Sequence, residues 1–115
     1  MKLNKNLSEE LNSGLLYFGS KKTIRDGKKR IVSNEFLPFG KLKYKLKNFN
    51  YESFTSYFGI ESKIDLKVKV YKVEKLKESL LIKIDKNYYD IVKMDEESSG
   101  QFVYLYLQRR ESLDD

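Results

Sequence analysis

Apolar and polar residues alternate without a break in Lys63-Ile64-Asp65-Leu66-Lys67-Val68-Lys69-Val70. In an extended chain, successive side chains point to opposite faces. One face of this segment is therefore entirely apolar, and the other carries Asp65, Lys67 and Lys69. This period of two predicts a β-strand with one buried and one polar face.

Three further strands are predicted downstream. Residues 80–84 lead into a polar turn at 85–87, residues 88–94 return from it, and residues 101–107 follow a polar loop. Four short strands with local turns are typical of a meander that curls into a barrel. We therefore predict a mainly β fold, a small antiparallel β-barrel with one short helix.

The segment before this region is predicted to contribute a hairpin. Residues 15–24 read as a strand in which Gly19 marks a bulge, and Asp26-Gly27 is a hairpin signal from which residues 28–32 return. Pro38 cannot donate a hydrogen bond to a sheet, so we expect an edge position or a kink there.

The short helix is predicted between Asn50 and Gly59. Asn50 is a suitable N-cap and Gly59 a suitable C-terminal stop. An apolar stripe at helical spacing indicates a helix that packs as a lid on the barrel; it consists of Tyr51, Phe54, Tyr57 and Phe58.

The 115 residues are expected to form one domain. Residues 15–108 would form the barrel, residues 1–14 either a short helix or an arm, and residues 109–115 a polar tail. Apolar residues amount to 40% and charged residues to 35%, which is typical of a soluble globular chain. No apolar run approaches the roughly 20 residues of a membrane span, and the N-terminus leads into no secretory segment.

The composition argues against catalysis. The chain has no cysteine, so it has no nucleophilic thiol and no thiolate metal ligand. It also has no histidine, which is the commonest general base and the commonest metal ligand. Its six glycines stand apart and form no phosphate-binding loop. The carboxylates at 95–97 and 114–115 are expected to be solvated, so we predict no enzymatic activity, no metal and no cofactor.

The positive charge is concentrated in one segment. The whole chain carries a net charge of +6, whereas residues 21–47 hold ten basic residues against Asp26 and Glu35. Such a segment is expected to attract a polyanion, most often nucleic acid. The ten candidate nucleic-acid-facing residues are Lys21, Lys22, Arg25, Lys28, Lys29, Arg30, Lys41, Lys43, Lys45 and Lys47.

The sharpest pattern within this segment is Lys41-Leu42-Lys43-Tyr44-Lys45-Leu46-Lys47. As a strand, it places four lysines on one face. Two compatible interpretations follow: an edge strand that lysines protect from aggregation, or a row of cations that contacts phosphates without reading bases.

The order of these features resembles that of the head closure proteins, small head–tail connectors of long-tailed bacteriophages. The shared features are the Asp26-Gly27 hairpin, the strand from Lys41, the short helix containing Glu52-Ser53-Phe54, the alternating strand and a final apolar strand. The family's turn residue followed by Tyr-x-Ile corresponds to Asn87, Tyr89 and Ile91, and we expect Tyr89 and Ile91 to be core residues. The resemblance covers roughly residues 15–108.

The resemblance implies a structural protein of the virion, made in the cytoplasm of the bacterial host. It implies a β-barrel that forms a homo-oligomeric ring below the portal and its adaptor, closes the exit of the packaged genome and docks the tail. Its partners would be portal-adaptor and tail proteins, with phage double-stranded DNA in the central channel.

Two other classes of protein are considered. A compact α/β ribonuclease toxin would need a pair of helices before the sheet, for which residues 1–14 are too short. The alternative is a small basic β-barrel that binds nucleic acid as a solitary module. Surfaces that combine basic and aromatic side chains bind single strands, and the chain has nine tyrosines.

Overall fold

The structure is a computed structural model that describes residues 11–28, 30–60 and 62–114. The predictions for residues 1–10 and for Lys29 therefore lie outside the described residues. The described chain contains β1 (Gly14–Arg25), β2 (Ile31–Lys47), α1 (Tyr51–Phe58), β3 (Leu66–Tyr71), β4 (Leu81–Ile84), β5 (Asn87–Glu96) and β6 (Phe102–Arg110).

The six strands pair antiparallel and close into a barrel in the order β1-β2-β3-β6-β5-β4. The predicted mainly β barrel with one short helix is confirmed. The predicted meander is confirmed for β4, β5 and β6, which pair in sequence, and it is wrong for β3, which pairs with β2 and β6 and not with β4. Residues 72–80 separate β3 from β4, and Leu76 within them is buried in the core.

The barrel interior is filled by the alternating apolar residues of the strands. Val68 on β3 lies opposite Leu105 on β6, and Leu16 on β1 lies opposite Leu42 on β2. Val68, Leu105 and Leu16 are fully buried. The alternation that predicted the inner face of β3 thus describes the core correctly for Val68 and Val70.

The hairpin of β1 and β2 extends well beyond the barrel. β1 pairs with β4 only through residues 17–19, whereas its pairing with β2 continues to Arg25. We call residues 20–25 and 31–37 the arm. Because of it the described chain is elongated, with extents of 59 × 34 × 22 Å.

Asp26 organises the loop at the tip of the arm. Its Oδ1 accepts hydrogen bonds from the backbone N–H groups of Lys28 (2.8 Å) and Arg30 (3.0 Å), and its own N–H donates to the Arg30 carbonyl oxygen (2.9 Å). The predicted hairpin is confirmed. Its loop reaches Arg30, and Gly27 does not adopt the positive φ that a two-residue Asp-Gly turn requires.

Pro38 lies within β2, which runs through it as one continuous strand. Phe18 pairs with Gly40 and Gly19 with Pro38, so Phe39 is the extra residue of a bulge. β2 pairs with β3 only from Tyr44 onward, which leaves Pro38 at an edge. The predicted edge position is confirmed, and so is the irregularity at Gly19.

The predicted caps of α1 are confirmed. The Asn50 side chain accepts a hydrogen bond from the Ser53 N–H (3.0 Å), and Gly59 adopts a φ of 69° while its N–H donates to the Thr55 carbonyl oxygen (2.8 Å). The helix covers the outer face of the barrel through Phe54, which packs with Ile64 and Tyr106 in a second apolar cluster.

The apolar stripe of α1 is only partly covered. Phe58 is half-buried, whereas Tyr51 is 44% exposed and Tyr57 is 82% exposed. The prediction that all four aromatic residues pack on the barrel is therefore wrong for these two tyrosines.

β4 and β5 are joined by a tight turn in which Asp85 adopts a left-handed φ of 54°. Tyr89 and Ile91 follow on β5 and are buried in the barrel interior. Asn87 begins β5, and its Oδ1 accepts a hydrogen bond from Arg109 (3.0 Å).

The segment after residue 108 differs from the predicted polar tail. Arg109 and Arg110 belong to β6, and Leu113 is 8% exposed. The Asn34 side chain donates to Asp114 Oδ1 (2.7 Å), which joins this segment to the arm. One apolar side chain among charged residues gave no periodic signal, so the sequence did not reveal this contact.

The burial of Ile91 predicts a large loss of stability on truncation. Ile91→Ala is expected to lower the free energy of unfolding by about 2–5 kcal/mol, because it removes buried methyl groups from the core. The control is Leu46→Ala, which also truncates a branched aliphatic side chain, at a position that is 51% exposed and outside the arm. Its effect should stay within about 0.5 kcal/mol in urea unfolding monitored by circular dichroism. Equal losses in the two variants would contradict this description of the core.

The bulge predicts a strict requirement for glycine at position 19. A Cβ atom on Gly19 would overlap the carbonyl oxygen of Leu37, a backbone atom that cannot move without displacing β2. Gly19→Ala should therefore destabilise the protein by about 1–3 kcal/mol. At Gly27 no atom lies within 4 Å of an added Cβ. Gly27→Ala should leave the thermal midpoint unchanged or raise it slightly, and a comparable fall in both variants would refute the argument.

Candidate nucleic-acid interface

Four lysines form a row on the outer face of β2. Lys41 lies opposite Tyr17 and Lys43 opposite Leu15, and these two β1 residues are 39% and 46% exposed. Side chains on one face of a strand repeat about every 6.6–6.8 Å. We call Lys41, Lys43, Lys45 and Lys47 the lysine row.

The row is available to a ligand mainly through its first members. Lys41 and Lys43 are exposed, and neither forms an ion pair among the described residues. Lys45 is half-buried, and its Nζ donates to Asn12 Oδ1 (3.3 Å). All four lysines are thus held in line by β2, and Lys41 and Lys43 are the two that are most exposed to solvent.

Like charges meet where β2 pairs with β3. Lys45 lies opposite Lys69 and Lys47 opposite Lys67, an arrangement that is unfavourable in an antiparallel sheet. Lys69 is only 5% exposed, and its Nζ lies 3.0 Å from Glu97 Oε2. This ion pair compensates the buried charge of Lys69, which we therefore regard as structural.

Glu97 is held in its charged form by several neighbours. The Ser99 hydroxyl donates to its Oε1 (2.8 Å), and the Tyr104 hydroxyl donates to its Oε2 (3.1 Å). The hydrogen bond from Ser99 and then that from Lys69 are the main causes that lower the pKa of Glu97 below its usual value. The negative charge needed beside Lys69 is thus stabilised by its surroundings.

Lys67 is directed to the aromatic side chains of β6. Its Nζ lies 4.6 Å from the centre of the Tyr104 ring and 5.1 Å from that of the Tyr106 ring. At these distances a cation is attracted to the ring face. A basic and aromatic surface thus continues from the lysine row across β3 to β6.

The described members of the ten predicted basic residues do not form one patch. Lys21 and Lys22 lie on the arm, Arg25 ends β1, and Lys28 and Arg30 lie in the loop at the tip. The Arg30 Nε lies 3.3 Å from Asp26 Oδ2, and Lys22 lies opposite Glu35. Of the nine members that the structure describes, it brings together the four lysines of the row.

The outer side of the barrel wall also carries basic residues outside the segment 21–47. Lys67 and Lys69 on β3 and Lys93 on β5 lie in a part of the sequence where basic and acidic residues nearly balance. The alternation of β3 showed that Lys67 and Lys69 share a face. Their place beside the lysine row depends on the β2–β3 register, which the sequence did not reveal.

Tyr44 on β2 is partly buried against the core of the barrel. Burial raises the pKa of the Tyr44 hydroxyl, and the neighbouring Asp85 and Tyr89 raise it further.

Among residues 11–28, 30–60 and 62–114, no group of three or more carboxylates could hold a metal ion. In the same residues, no helix is long and apolar enough to cross a membrane.

Comparison with known proteins identifies the fold. No protein-family model matches the chain, and no curated protein matches it. Among solved structures, the chain is similar to the solution structure of protein SF1141 from Shigella flexneri 2a, with a TM-score of 0.61 and 10% sequence identity. The match covers 85% of this chain and 92% of that protein. A likeness at this level of identity is one of fold alone.

The geometry of the lysine row predicts a specific change in salt dependence. Lys41→Glu combined with Lys43→Glu should weaken duplex DNA binding and reduce the slope of log K against log salt by about 2, because roughly 0.9 counterion is released per phosphate contact. Fluorescence anisotropy at several salt concentrations measures the slope.

The matched control combines Lys75→Glu with Lys77→Glu, which makes the same charge change at exposed residues outside the row. It should lower the affinity less and leave the slope nearly unchanged. Equal slopes in the two double variants would mean that Lys41 and Lys43 only keep soluble the part of β2 that precedes its pairing with β3. The tip of the arm would then be the next candidate.

Proposed function

We propose that this protein is a structural head–tail connector of a long-tailed bacteriophage, a head closure protein of the virion. In this role it forms a ring below the portal and its adaptor, closes the DNA exit and docks the tail. The arm is the observation that carries the proposal, because its surface fits a subunit of an assembly better than an isolated chain.

Three apolar side chains of the arm are exposed among polar and charged neighbours. Ile31 is 59%, Val32 63% and Leu37 44% exposed. A two-stranded hairpin in water is marginally stable, and exposed apolar patches mark interaction sites. A neighbouring copy that packs on the arm would bury these side chains and stabilise the hairpin.

The base of the arm has a defined direction relative to the barrel. The Phe36 ring lies 5.8 Å from the Tyr88 ring of β5, and Asn34 is hydrogen-bonded to Asp114. The apolar residues nearer the tip, Ile31 and Val32, are therefore presented at a fixed angle. This presentation supports a repeated contact between identical subunits.

The lysine row supports a role beside double-stranded DNA. Lysines act as point charges, so they hold phosphates without reading a sequence. One subunit offers few such contacts and would bind weakly. A ring repeats them, and avidity then makes the combined contact strong.

The resemblance in element order supports the same assignment. The Tyr-x-Ile motif at Tyr89 and Ile91 supplies core residues after the β4–β5 turn. In the family pattern the motif also follows a turn. This similarity supports the barrel fold more than it supports ring formation.

A solitary nucleic-acid-binding module is the second candidate. The observation that favours it is the basic and aromatic surface formed by Lys67, Tyr104 and Tyr106. Such surfaces bind single strands without a ring. The two candidates differ in whether the chain associates with itself.

Self-association separates these candidates. Sedimentation velocity over a range of protein concentrations, alone and with a duplex DNA, should show a concentration-dependent oligomer. Val32→Asp should shift it towards monomer, because the charge would have to be buried at the subunit contact. Ser79→Asp is the control, since it adds the same charge at an exposed residue between β3 and β4, outside the arm.

A monomer under all these conditions, including one chain bound per duplex, would favour the solitary module. An oligomer that persists unchanged in Val32→Asp would show that the contact lies elsewhere and would remove the argument from the arm.

A further inference from the structure

A cavity of about 210 Å³ lies between α1 and the outer face of the barrel. Five aromatic residues line it: Phe49, Phe54, Tyr57, Phe58 and Tyr106. Cavities that hold drug-sized ligands measure roughly 300–1,000 Å³. This cavity is therefore suited to a single flat ring system.

The aromatic walls differ in how firmly they are held. Phe54 and Tyr106 are buried, and their ring centres are 4.7 Å apart. Tyr57 is 82% exposed, and its ring contacts the half-buried Phe58 at 4.9 Å. The cavity thus has a rigid floor and one exposed ring at its rim that a ligand could cover.

Cations surround the cavity on the side of the sheet. Lys67 lines it, and the Lys93 Nζ lies 5.5 Å from the centre of the Phe58 ring. Lys47, the last member of the lysine row, lies opposite Lys67 and two residues before Phe49. A chain that follows the row is therefore led directly to the aromatic residues.

We propose that this cavity takes one unpaired base of a single-stranded nucleic acid whose phosphates follow the lysine row. Stacking on aromatic side chains and a basic groove along the backbone are the two components of such sites. The charge of the surroundings favours a polyanion over an aromatic side chain of a protein partner. Asp95 also lines the cavity, and its carboxylate can accept a hydrogen bond from the amino group of a base.

This site goes beyond the proposed ring. Bases of a duplex are paired and stacked and cannot enter the cavity, so the ligand differs from the DNA of a central channel. The site would serve a single-stranded stretch, whatever the oligomeric state of the protein.

The test compares two oligonucleotides with the same number of phosphates. One is a short single-stranded oligocytidylate, and the other is an abasic strand of the same length. In fluorescence anisotropy, the full-length protein should bind the base-bearing strand about 5- to 150-fold more tightly, as expected for one stacked base. Tyr57→Ala should remove most of this preference without unfolding the protein, because the side chain is exposed.

Tyr51→Ala is the matched control, since Tyr51 lies on the same helix, is 44% exposed and does not line the cavity. It should keep the full preference. Equal affinity of the wild-type protein for the two strands would overturn the proposal. So would a preference that survives Tyr57→Ala, or one that Tyr51→Ala also removes. None of these results bears on self-association, which the Val32→Asp variant tests separately.

Discussion

The pairing of β3 with β6 determines what lies on each side of the barrel wall. Val68 faces Leu105 in the interior, and on the outside Lys69 faces Tyr104 and Lys67 faces Tyr106. A shift of one residue would exchange the two faces of β3 and place lysines in the core. The burial of Val68 and Leu105 therefore fixes the basic and aromatic surface at the same time. The candidate site and the core are two consequences of one register.

Lys67 and Lys69 on the outer face of β3 also lie opposite two lysines of β2, which is unfavourable. Neighbouring side chains on the outer face compensate this repulsion. Lys69 is neutralised by Glu97, which hydrogen bonds from Ser99 and Tyr104 hold in place. Lys67 is directed to aromatic rings instead of a carboxylate. The two lysines are thus stabilised in different ways. Lys69 stabilises the fold through its buried ion pair. Lys67 is only half-buried, and its charge lies next to the lysine row and the aromatic cavity.

Local features of the fold could be predicted because their causes are local. The alternation of β3, the caps Asn50 and Gly59 and the edge position of Pro38 each depend on a few neighbouring residues. The partner of β3 could not be predicted in this way, because the contact with β6 joins segments about 35 residues apart and depends on the whole core. For the same reason the lysine row was found as a pattern, whereas its continuation through Lys67 and Tyr104 was not. The buried Leu113 gave no signal, since a single apolar residue has no period.

The barrel is closed by its shortest contact, where residues 17–19 of β1 meet residues 81–83 of β4. β1 continues without interruption from this contact into the arm, so a displacement of the arm would move the strand that closes the barrel. The bulge at Phe39 lies directly across β1 from the β1–β4 contact, where the Gly19 backbone is in close contact with Leu37. A load on the tip of the arm would therefore reach the barrel through the β1–β4 contact and through the contacts of Phe36 and Asn34 at the base of the arm. Phe18 and Ile82 pair across the β1–β4 contact and are buried, so a partner bound to the arm would act on a strand that is continuous with the core.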